Sequence, residues 1–114
     1  MKFQFDEKKN QKNLAKHDVD FETAELVFED PYSLTIRDVV HDEEEERYIT
    51  LGEIAPGAVL FVVHTWNADE SGEEVIRLIS ARAATSREKR SYEEAHKRSE
   101  AASSRHRGQK GRGH

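Results

Sequence analysis

Val75 to Ala95 reads VIRLISARAATSREKRSYEEA, an apolar run passing within a few residues into a charged, helix-forming one. Val75, Ile76, Leu78 and Ile79 give the first part the β-branched, apolar character of a strand. Thr85 with Glu88 three residues on forms a capping box, each side chain taking one of the helix's orphan amides, and predicts a helix from Ser86. Arg77 and Arg82 interrupt the strand, and a two-residue period places them on opposite faces of the sheet. A guanidinium in a buried strand is costly unless an anion meets it. That anion is either a carboxylate of this chain or a phosphate of another molecule.

Upstream, Ala58 to Trp66 is the most apolar segment and predicts a central strand, with His64 near its end. Asn67 to Gly72 predicts a turn, and Gly52 to Gly57, containing Pro56-Gly57, a hairpin connection. Arg47 to Leu51 and Ser33 to Val40 alternate as strands, separated by the acidic loop His41 to Glu45. Four strands in succession predict an antiparallel meander. Before them, Phe3 and Phe5 suggest a short strand and Asp6 caps a surface helix over Glu7 to Lys16. Asp20 caps another over Phe21 to Phe28, where Phe21, Ala24, Val27 and Phe28 form an apolar stripe ended by Asp30-Pro31. The predicted architecture is α+β: two N-terminal helices, a four-stranded antiparallel meander and a C-terminal helix, the helices on one face of a curved sheet.

With 114 residues, 36% charged and 35% hydrophobic, the chain can bury one modest core. Lacking cysteine, it has neither disulfides nor thiolate metal sites. The opening MKFQFDEKK lacks an apolar h-region, and the longest apolar run, Ala58 to Val63, is too short to span a bilayer, so a soluble cytoplasmic protein is expected. The net charge of −5 is uneven: residues 99–114 carry four basic side chains and one acid, a net of +3, leaving −8 for residues 1–98. The tail 99–114 contains no large apolar side chain and is expected to be disordered, with the folded domain ending at Arg98. An acidic body argues mildly against nonspecific nucleic-acid affinity, but the cations cluster at Lys8 to Lys16 and Arg77 to Arg98, where local binding remains open.

Several motifs carry a family resemblance. Phe3, Phe5, Asp6, Lys9, Asn13, Lys16, His17, Val19 and Phe21 make the pattern F-x-F-D-x-x-K-x-x-x-N-x-x-K-H-x-V-x-F. Glu46-Arg47 precedes YITLG, then come Val62-Val63-His64-Thr65, RLISAR from Arg77 to Arg82, and the Glu88 to Tyr92 segment. In order and spacing this resembles the BrnT family, toxins of bacterial type II toxin–antitoxin pairs with a RelE-like fold that cleave RNA. The resemblance covers Phe3 to Glu93 and departs at Asp18, where the family often has the glycine that suits a left-handed helix end. It implies a metal-independent endoribonuclease that inhibits translation. It also implies an RNA substrate and a cognate antitoxin, BrnA-like and oligomeric, with DNA reached only through that antitoxin.

Metal-free RNA cleavage requires a base for the 2′-hydroxyl, a cationic clamp on the phosphorane and an acid for the 5′-oxygen. Arginine suits the clamp because its planar fork meets phosphate oxygens in pairs. Arg47, Arg77 and Arg82 are the candidates, and Arg82, at a strand end beside a helix N-terminus, has the weakest reason to be paired internally. His17, His64 and Glu46 are candidates for proton transfer, and Tyr92 is a candidate acid or stacking platform. Lys9, Lys16 and Arg87 are candidates for holding substrate. Consecutive carboxylates at Asp42 to Glu46 do not converge on one ion without a fixed turn, so no metal or other cofactor is expected. The competing reading is a non-catalytic module that binds RNA or a protein through the same basic surface.

Overall fold

The computed structural model describes residues 1–41 and 45–98. Strand β1 (Lys2–Gln4) leads into helix α1 (Glu7–His17) and a single-turn helix α2 (Phe21–Ala24), which a 3-10 turn (Glu25–Glu29) continues. Strands β2 (Leu34–Arg37), β3 (Tyr48–Ala55), β4 (Ala58–His64), β5 (Asn67–Ala68) and β6 (Glu74–Ala83) follow, and a last helix α3 covers residues 86–98. Residues 42–44 of the predicted acidic loop His41 to Glu45, and the tail at 99–114, lie outside the described residues. Among those residues, no helix is long and apolar enough to cross a membrane.

The meander is present in β2, β3, β4 and β6, but it is part of a mixed six-stranded sheet ordered β1-β6-β4-β3-β2, with β5 paired to β6. β1 joins in parallel, Phe3 opposite Ile76, while Asn67-Ala68, expected as turn, pairs antiparallel with β6. β3 runs on to Ala55, so only Pro56-Gly57 turns the hairpin, with Gly57 at φ 78°. β2 ends at Arg37, and Val39–His41 closes into a 3-10 turn rather than continuing the strand.

Helices cover both faces of the sheet, contrary to the single-face expectation. On one face Phe21, Ala24 and Val27 pack against Leu60, Val62 and Ile76. A Cβ on Gly52 would stand 2.6 Å from Val27 Cβ, so only glycine lets β3 meet the 3-10 turn this closely. On the other face Leu51 and Val59 pack under Tyr92 of α3. The Thr85–Glu88 box that starts α3 is formed in both directions, at 2.8 Å and 3.2 Å.

Helix α1 docks through its polar side. Asn10 Oδ1 accepts from the Phe21 N–H at 2.8 Å. Asn13 donates to the Ala81 carbonyl at 2.7 Å and accepts from the Ala81 N–H at 3.1 Å. Past the end of β1 the edge of β6 would otherwise be open, and this amide completes it as a strand would. Leu14, one of the helix's few apolar residues, is left exposed.

Candidate nucleic-acid interface

A bulge in β6 decides which way its arginines face. Val63 pairs with Ser80 but His64 with Leu78, so one extra residue, Ile79, is accommodated and the two-residue period slips. Ile76, Leu78 and Ala81 consequently all face the helix-covered core. Arg77 and Arg82, each next to one of these, share the opposite, outer face. The opposite-face expectation fails because a strict period was carried across a bulge.

The two arginines are not bare. Arg77 Nη2 lies 2.7 Å from Glu45 Oε1 on the surface. Arg82 makes a two-pronged contact with Glu88 at 2.8 Å and 3.0 Å, with its guanidinium 3.9 Å from the centre of the Phe61 ring. These hydrogen bonds hold the Arg82 guanidinium above its ordinary pKa and Glu88 below its own. Arg82 is therefore the most completely paired of the three, the reverse of the sequence expectation. The helix start beside it supplies the carboxylate: Glu88 closes the capping box and the ion pair together.

Arg47 lies just before β3 and is half-buried. Its side chain lines a cleft on the outer face with Ile49, Phe61, Val63, Ile79 and Ser80, and it makes no ion pair among the described residues. Glu46 beside it is exposed, accepts from the Tyr48 hydroxyl at 3.0 Å and lies 3.4 Å from Arg37 Nη2. Arg87 lines the neighbouring stretch of the same face.

Ile79 and Ser80 also form the wall of a second cleft, whose other side is α1: Lys9, Lys12, Lys16 and His17, with Asn13 at its base. Asp6 fixes this helix by accepting from the Lys8 and Lys9 amides at 2.8 Å and 3.4 Å. Asp18 ends it in the left-handed conformation, φ 59°, with its N–H on the Leu14 carbonyl. Lys12 was absent from the predicted site, although 9, 12, 13 and 16 fall on one helical face.

Two predicted residues face elsewhere. His64 is fully buried on the core face, its Nε2 2.7 Å from Thr50 Oγ1 and its Nδ1 2.9 Å from the Thr65 carbonyl. Since a carbonyl only accepts, Nδ1 carries the proton and Nε2 accepts from the threonine hydroxyl. Burial lowers its pKa, and Phe28, Tyr48 and Trp66 surround the ring. Tyr92 is 2% exposed and donates its hydroxyl to Asp30 Oδ2. Burial and that carboxylate push the phenol well above its ordinary pKa. Burial pushes Asp30 up, but bonds from the Glu53 N–H, the Tyr92 hydroxyl and the Tyr32 N–H outweigh it and leave the carboxyl lowered.

The outer face and the α1 cleft thus meet along Ile79-Ser80, so that Arg47, with Asp38 in the same cleft, adjoins His17 and the α1 lysines. Among the described residues, no three histidine, aspartate or glutamate side chains come together to hold a metal. Residues 5–88 match the family model described as the ribonuclease toxin BrnT of a type II toxin–antitoxin system. Among solved structures, the chain is similar to the Brucella abortus ribonuclease toxin BrnT, at 25% identity and a TM-score of 0.54, covering 75% of this chain and 97% of that one. No curated protein matches.

Proposed function

Because this chain belongs to the BrnT family of ribonuclease toxins of type II toxin–antitoxin systems, we propose that it cuts RNA along the Ile79-Ser80 divide, inhibits translation and is neutralised by a cognate antitoxin. The supporting observation is the meeting of the α1 cations and Arg47 at that divide. On this reading Lys9, Lys12 and Lys16 hold backbone phosphates, Arg47 clamps the scissile phosphate, and His17 moves the proton. The 2′-hydroxyl loses its proton as its oxygen attacks phosphorus, and the departing 5′-oxygen gains one. The products are a 2′,3′-cyclic phosphate and a 5′-hydroxyl end, with no metal in the step. Arg77 and Arg82 join the clamp by exchanging a carboxylate for a phosphate, and Arg87 extends the surface. Glu46 stands beside the clamp as the second candidate base, whereas His64 and Tyr92 hold the fold. Much of the rate comes from orienting the RNA, as in RelE-like toxins, rather than from a matched acid–base pair.

The test is cleavage of a defined single-stranded RNA by the purified protein in EDTA, with end-group analysis. Activity should persist and give cyclic phosphate ends. Arg47→Ala should lower the rate by about 100-fold or more, the order expected for losing one electrostatic stabiliser. Activity that vanished in EDTA and returned with magnesium would overturn the mechanism. RNA binding without cutting would favour the non-catalytic module.

A further inference from the structure

The bulge in β6 re-aims a serine as well as the arginines. Ser80 stands opposite Val63, and Arg82 opposite Phe61, on the outer face. Arg77 and Ile79 share that face, while Leu78 and Ala81 point into the core. Ile79 and Ser80 are therefore successive residues on one side of the sheet, where a regular strand would place them on opposite sides. A strict two-residue period from Leu78 would have buried Ser80 in the core.

Through the bulge Ser80 lines both clefts, and among the described residues it is the one polar side chain that does so. Its position is fixed from two sides. Ser80 pairs with Val63 of β4, and Asn13 of α1 grips the N–H and carbonyl of Ala81, the next residue. The hydroxyl takes no part in this. Thr35, Thr50 and Thr85 use theirs within the fold, whereas that of Ser80 makes no hydrogen bond among the described residues. It is open to the cleft, since among those residues no buried side-chain polar atom lacks a partner.

Cations flank this hydroxyl on each side, Arg47 towards β3 and Lys12, Lys16 and His17 towards α1. Asp38 shares the Arg47 cleft, so charge alone does not fix where a phosphate would rest. A hydroxyl on a rigid strand adds the direction that flexible lysine ammonium groups lack. Bases are a poorer match, because a lone hydroxyl donates or accepts equally well and distinguishes none of them.

We propose that Ser80 is a catalytic residue of the cut, its hydroxyl donating to a non-bridging oxygen of the scissile phosphate seated between Arg47 and His17. This rests on the ribonuclease reading above and adds a group to it. The bond strengthens as the non-bridging oxygens gain charge in the phosphorane, so it lowers the barrier rather than merely retaining RNA. Ser80 keeps its own proton throughout.

The test uses the full chain and a single-stranded RNA whose cut position has been mapped. That linkage is then made as each of the two stereopure phosphorothioates, in which sulfur, a poor acceptor, replaces one non-bridging oxygen. Wild type should cut one isomer markedly more slowly than the other. Ser80→Ala should cut the unmodified RNA about 10- to 100-fold more slowly, the size of a lost hydrogen bond to a charged group. The fall should lie in kcat rather than KM, and the gap between the isomers should shrink by a like factor. A merely structural role would slow all three RNAs alike. Ser80→Cys, which keeps the shape but donates weakly, carries the same expectation where the alanine chain does not fold. Equal cutting of both isomers by wild type, a gap undiminished in the variants, or failure of both variants to fold overturns the assignment. A wild type that cuts no RNA is a different failure: it defeats the ribonuclease reading itself, and this role falls with it.

Discussion

Arg82 illustrates how one residue's role turns on its immediate partner. Glu88 grips it with both oxygens, and Phe61 lies under its plane. Arg82→Ala should therefore cost about 1–2 kcal/mol in urea denaturation, from a partly exposed ion pair and a cation–π contact. Lysine should recover little, having no fork to meet both oxygens. Glu88→Gln keeps an acceptor for the capping box yet frees the guanidinium. If Arg82 exchanges partners, this variant should bind RNA more tightly with nearly the wild-type salt slope, since the same phosphate is neutralised in both chains and only the competing carboxylate is gone. Affinity equal to wild type would confine Arg82 to the fold. Asp18 makes a simpler case. A non-glycine residue at φ 59° is disfavoured, so Asp18→Gly should stabilise the chain by about 1 kcal/mol without altering its contacts.

Among the elements, strands and caps were legible in the sequence and their exceptions were not. The β-branched run of β6 and the Thr85–Glu88 box were readable because both depend on neighbours a few residues apart. The bulge at Ile79 was not, because it is defined by what β4 places opposite. The burial of His64 was readable in part: it shares parity with Leu60 and Val62, so an apolar face was foreseeable, though not its bond to Thr50. The docking of α1 through Asn10 and Asn13 escaped an apolar-stripe reading altogether, since the inward side is polar. The Gly52 contact was equally hidden, and it yields a sharp expectation. Gly52→Ala should lower stability by about 1–3 kcal/mol, the usual range for overpacking, because Val27 Cβ and its carbonyl both stand within 3 Å of the new methyl. A thermal midpoint equal to wild type would mean that the 3-10 turn shifts freely.

At the scale of the molecule the ionisable groups shifted by burial or hydrogen bonds set how stability follows pH. His64 has its pKa lowered from 6.5 by burial. Its contribution is complete above that value and is lost as pH falls towards the lower folded one, because the unfolded chain takes the proton first. Asp20, Asp30 and Glu88 are lowered from 3.8, 3.8 and 4.5, so they stabilise above those values and cease to as pH drops through their folded ones. Glu25, raised by burial, acts weakly in the other direction. Urea midpoints should decline gently below about pH 6.5 and steeply below about 4.5, and His64→Gln should remove the gentle part. A flat profile between pH 5 and 7 in the wild type would contradict the neutral, buried histidine.

The amide of Asn13, seated on Ala81, also bears on how the protein behaves when crowded. An unpaired strand edge is a template for other chains and a route to aggregation. β6 is the longest strand, and β1 shields only residues 75–77 of it. One asparagine thus works as a gatekeeper: it occupies the donor and acceptor that a neighbouring molecule's strand would seize. A chain lacking that amide should aggregate more readily at high concentration.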